Sequence, residues 1–223
     1  MLGSILQTVS VIIAAFSVVL GIGAWRRTMK GQRQFDLAEQ AVEGFAEARS
    51  AFTYIRSPAG FGGEGSSRSR ASNETEAQSQ LLDQAFVAIE RYNKRTDVFS
   101  KLMAIRYRFE LHFGKEAAAP FSELKNIVDE IIIASRTLAR VWPQQGKPMT
   151  ESQFAKHLEQ MHKAESVFWE GFEEPDIISA RIDKMNSDIN DTCRQIINPR
   201  RNLCSVLTAW YSEGLSFLSC GKH

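Results

Sequence analysis

The chain reads as an all-α protein: an N-terminal transmembrane helix continuous with a long cytosolic helix, packed with further helices as an antiparallel bundle. Three observations predict it. Residues 2–25 contain no Asp, Glu, Lys, Arg or His, and such a run, at about 1.5 Å per residue, spans a hydrocarbon core of about 30 Å. Apolar residues recur at three- and four-residue spacing through the later segments. Alternating, β-rich runs are absent from the 223 residues.

The first segment carries its own topology signal. Trp25 falls where an interfacial aromatic belongs, and Arg26, Arg27, Lys30 and Arg33 follow it. Basic residues after the apolar run place that side in the cytoplasm. A cleaved signal peptide would have its positive charge before the run, and none is there. Steps of four and three from Gly3 pass through Gln7, Ser10, Ala14, Ser17, Gly21, Ala24, Thr28 and Gly31, then Phe35, Ala38, Val42, Phe45, Arg49 and Phe52. This coiled-coil-like seam is small or polar first and mostly apolar later. Ser10, Ala14, Ser17 and Gly21 form small-xxx-small pairs that let two helices approach closely, although small residues are common in any membrane helix.

The predicted helix from 32 ends at Ser57-Pro58, because proline disfavours helical backbone in the residue before it. Residues 57–79 hold four glycines and a serine cluster. With no GK[ST] ending and no preceding strand they predict a flexible loop rather than a phosphate cradle, with Phe61 as a local pin. Residues 80–113 contain no Gly or Pro and read as one long helix with a basic face, Arg91, Lys94, Arg95, Lys101, Arg106 and Arg108, either solvated or turned to acidic headgroups. Gly114 stops it and Pro120 opens the next, in which Ile131-Ile132-Ile133 covers more than one stripe. Pro143 closes that helix. Thr150-Glu-Ser-Gln153 is a capping box for a helix to about Gly171, with Phe154, Leu158, Met161 and Phe168 as its buried side. After Pro175 a last helix, from about 177 to 198, carries Ile178, Ile182, Met185, Ile189, Cys193 and Ile196. The domains expected are an anchor at 1–25, a cytosolic bundle at 26–199 and a tail at 200–223.

Bulk chemistry excludes more than it selects. Lys+Arg 27 against Asp+Glu 26 leaves no global field for nucleic acid. Cys193, Cys204 and Cys220 have neither disulfide-framework nor zinc spacing. The sequence has no HExxH, GxSxG, Walker or dinucleotide pattern and calls for no cofactor. The best chemical candidate is Glu159-Gln-Met-His162, half of the paired Glu-x-x-His arrangement of di-iron bundles. Its second half is missing, so Glu159 and His162 are weak metal candidates and no catalytic residue is assigned.

Several stretches carry a resemblance: Trp25-Arg-Arg, Leu37-Ala-Glu-Gln, Glu47-Ala-Arg, Tyr54-Ile-Arg-Ser-Pro58, Glu90-Arg-Tyr-Asn93, Arg106-Tyr-Arg-Phe109 and Phe168-Trp-Glu-Gly-Phe-Glu-Glu-Pro175. Together they resemble an uncharacterised family of bacterial single-pass membrane-anchored α-helical proteins, up to about Pro199. The resemblance implies a bacterial inner-membrane location and a helical bundle, and assigns no activity. The function expected is that of a non-catalytic interaction or scaffold protein, with the lipid bilayer, its own copies or another membrane protein as partners. The alternative is a membrane-tethered sensor or effector that takes a small ligand, a metal-dependent enzyme being the weaker form of it.

Overall fold

The computed structural model describes residues 2–197, with the side chains of 2–9, 11–16 and 19 outside the description. The tail, with Cys204, Cys220 and His223, lies outside it too. The described residues form six α-helices and no strand: α1 Leu2–Arg56, α2 Glu76–Lys94, α3 Thr96–Phe113, α4 Ala119–Val141, α5 Glu151–Phe168 and α6 Ile177–Ile197, with a 3-10 turn at Trp142–Gln144 between α4 and α5. Among the described residues no helix is long and apolar enough to cross a membrane. Most side chains of the uncharged run fall outside that set.

Helix α1 has two environments. Up to Asp36 its described side chains are exposed or half-buried, and the buried stripe begins at Leu37. From there Ala38, Ala41, Phe45, Ala48, Ala51, Phe52 and Ile55 face inward. Helix α3 runs antiparallel to it, Phe99 meeting Phe52 at 5.2 Å and Leu102 lying against Gly44. Helix α6 also runs antiparallel, with Asp176 at Arg56 and Asp183 at Arg49. The later half of the seam, from Ala38 on, is therefore filled by the chain's own helices.

Helix α4 crosses the middle of the core. Pro120 lies in its first turn, and Phe121 meets Phe45 edge-on at 4.9 Å and Phe109 at 5.1 Å. The Ser135 hydroxyl donates to the Ala85 carbonyl of α2 at 2.6 Å, which satisfies a buried polar group. Of the isoleucine run, Ile131 is buried and Ile133 is 61% exposed.

Two expectations are corrected. Residues 80–113 are not one helix: α2 ends at Lys94 and α3 begins at Thr96. No breaker marks the joint. There the guanidinium groups of Arg91 and Arg95 both sit over the Tyr54 ring, at 5.4 and 5.5 Å, so the turn is set by packing on α1.

The Gly/Ser segment is also tied down rather than loose. Glu64 accepts from Arg91, Glu90 accepts from the Gly65 N–H and the Ser67 hydroxyl, and Arg68 bridges Glu74 and Asp83. Gly65 has φ +82° and lies so close to α2 that a Cβ there would meet the Asp83 carbonyl oxygen at 1.8 Å. Phe61 is exposed, and its backbone N–H on Glu64 makes the local contact in place of its ring. Helix α2 starts at Glu76, earlier than position 80, because Thr75 and Gln78 form a second capping box.

Candidate functional site: the two flanks of α5

Helix α5 is the least embedded of the bundle helices. The Thr150–Gln153 capping box opens it as expected, Gln153 N–H donating to Thr150 Oγ1 at 3.3 Å. Its fully buried positions are His157, Ala164 and Phe168. Phe154, 53% exposed, and Leu158 lie outside the buried stripe expected of them. The helix is held at its C-terminal end, where Trp142 Nε1 donates to Glu165 at 2.8 Å and the Trp142 and Phe168 rings meet at 6.0 Å. Each flank opens into a cavity.

On the first flank a groove of about 580 Å³ lies between α4 and α5, within the size range of small-molecule sites. Its apolar wall includes Ile133, Val141, Ala164 and Val167, and Arg140 and Lys163 stand on its two sides. Neither cation has an ion pair or hydrogen bond among the described residues. Glu130 also borders the groove, but Arg181 holds it through two contacts of 2.7 and 2.9 Å. Those contacts, with Glu123, raise the Arg181 pKa above its ordinary value.

The second flank holds a cavity of about 430 Å³ under the α4–α5 connection, lined by Met149, Phe154, His157, Leu158 and Met161 among others. His157 is 8% exposed, and its Nε2 is buried without a hydrogen-bond partner. An unsatisfied buried polar atom costs about 1–3 kcal/mol.

The strongest charge assemblies are elsewhere, and they join helix ends. Arg56, 1% exposed, donates to the carbonyls of Ser166, Val167 and Trp169 at 3.1, 2.9 and 3.0 Å, to the Ser179 hydroxyl at 3.0 Å and to Asp176 at 3.0 Å. It thereby satisfies carbonyls that the last turn of α5 cannot pair internally. Asp176 also accepts from the Ser179 N–H at 2.9 Å, capping α6. Burial pushes the Asp176 carboxyl up, yet Arg56 and the backbone N–H donors of Gly171 and Ser179 outweigh it and hold it at about 2.

Arg91 is equally buried. It donates to the Tyr54, Ser57 and Ala59 carbonyls at the end of α1 and to Glu64, whose pKa this bonding lowers. Arg91 therefore does not belong to a solvated basic face. Both arginines fall on apolar helical spacings, four residues after Phe52 and three after Ala88. That signal marks a buried cation, though not its partners.

The other sequence candidates stay apart. Glu159 is exposed, while His162 Nδ1 pairs with Glu173 at 2.8 Å and its ring packs on Phe172 at 5.1 Å. The two are not gathered into a metal site, and no cluster able to hold a metal ion occurs among the described residues. Trp25, Arg26, Arg27, Lys30 and Arg33 lie together on the exposed part of α1, as do Ser10, Ser17 and Gly21; the Ala14 side chain is outside the described residues. Cys193 is buried in the core, and burial lifts its thiol to about 11, far from the range of a reactive thiolate. No family model matches this chain, and no curated protein or solved structure is significantly similar to it.

Proposed function

We propose that the chain is a non-catalytic interaction protein anchored by a single pass in a bacterial inner membrane, with its bundle in the cytoplasm. The observation that carries this reading is α1: one unbroken helix, Leu2–Arg56, that enters the bundle only at Leu37. The uncharged run supplies the anchor. Twelve residues, Arg26 to Leu37, form a helical stalk of about 18 Å at about 1.5 Å per residue. Arg26, Arg27, Lys30 and Arg33 sit on the bilayer side of it and set the orientation. The resemblance to bacterial membrane-anchored helical proteins supports the same location.

Two arms test the reading. The full chain should stay in the membrane pellet after alkaline carbonate extraction, and alkaline phosphatase fused after His223 should be inactive. Release by carbonate removes the anchor; an active fusion reverses the topology. The two cavities beside α5 favour a second role for the tethered bundle, as a sensor that takes a small ligand.

A further inference from the structure

We propose that the groove between α4 and α5 binds an amphiphilic anion: an acyl or aryl chain bearing one carboxylate, phosphate or sulfate group. The groove offers two things at once. Ile133, Val141, Ala164 and Val167 give an apolar wall, and among the described residues Ile133 stays 61% exposed at its mouth. Burial of a chain there releases water from the apolar surface of both partners. Arg140 and Lys163, on opposite helices, supply two cations with long stems that can lie along the walls while their heads meet an anion. Glu130, the acid in the groove's lining, does not cancel this charge, because Arg181 engages its carboxylate. Such a rim rejects a cationic amphiphile and adds nothing for a neutral one.

The position argues for a free ligand over a lipid still in the bilayer. The groove borders Val141 and Gln144, beside Trp142, which packs on Phe168; Phe168 in turn packs on Trp169, whose carbonyl Arg56 holds. That is the end of the bundle where α1 finishes. From Leu37 to Arg56 the helix rises about 28 Å at about 1.5 Å per residue, which carries the groove away from the stalk. The anion-binding inference itself stands whether or not the anchor reading holds.

The test uses the full chain in nanodiscs of zwitterionic lipid, with 8,8,8-trifluorooctanoate as the probe, followed by fluorine NMR and with empty nanodiscs as the blank. Saturable binding above the blank is expected, with a Kd on the order of 0.1–1 mM for so short a chain. The Arg140→Gln/Lys163→Gln double variant, both sites being at the surface, should weaken it roughly tenfold. Thr137→Trp, which fills the groove from its half-buried wall, should remove it while the circular dichroism spectrum and melting temperature stay near wild type. Neutral 8,8,8-trifluorooctanamide should bind as weakly to wild type as the probe does to the double variant. Binding no greater than the blank overturns the proposal, as do equal binding of the amide and unchanged binding in both folded variants.

Discussion

Arg56 makes one guanidinium serve three helix ends: it closes α1, donates to the last carbonyls of α5 and pairs with the carboxylate that caps α6. Removing it leaves Asp176 without its cationic partner and the Ser166, Val167 and Trp169 carbonyls without the guanidinium donor. Breaking a buried, hydrogen-bonded charge pair costs about 3–5 kcal/mol, so Arg56→Ala should lower the unfolding free energy by that order in equilibrium urea denaturation. Arg49 is the internal control. Its pair with Asp183 leaves both side chains more than half exposed, and Arg49→Ala should change stability by no more than about 1 kcal/mol. Equal effects at the two positions would show that the Arg56 node is not what joins the helices. Both arginines look alike as letters; their burial separates them.

At the scale of the element, residues 57–75 show how composition misleads. Glycine and serine suggest a chain free to move, but Glu64, Arg68 and Glu74 are half-buried and each is paired. Gly65 is the position that permits it, through its positive φ and its close approach to Asp83. Gly65→Ala should detach this stretch from α2 and destabilise the chain by more than about 1 kcal/mol. Limited trypsinolysis reads the same change, since Arg68 should be cut slowly in wild type and much faster in the variant. A wild type cut there at once would refute the ordered loop. The start of α2 is expected at position 80, although Thr75-Glu-Ala-Gln78 carries the same capping pattern as Thr150-Glu-Ser-Gln153. The joint between α2 and α3 was not legible, because no residue there opposes a helix strongly.

For the whole molecule, acid stability follows from three carboxylates. In the folded chain Glu74 is held at about 2 by Arg68, and Glu90 at about 2 by Lys94 and Ser67, against an ordinary 4.5; Asp176 is at about 2 against 3.8. Folded values below unfolded ones mean stability that is fully present above the ordinary pKa and lost as pH falls towards the folded one. The urea midpoint should be flat above about pH 5 and fall steadily between about pH 4.5 and 2. A midpoint unchanged across that window would deny these ion pairs a net role. Association is the other molecular question. Ala38, Phe45 and Phe52 are buried inside the bundle, so only the part of the α1 seam before it is left for a second copy. Ser17→Leu with Gly21→Leu should weaken a dimer cross-linked in native membranes and leave the bundle folded; undiminished cross-linking would assign that face to lipid. The sequence by itself determined the helical class, most helix ends and the stripe of α6, because spacing, prolines and capping boxes are local signals. Only the tertiary structure decided that Arg56 and Arg91 go inside, that the glycine-rich segment is held and that α5 leaves grooves on both flanks. Those features depend on what each side chain meets from a distant part of the chain, which no local pattern records.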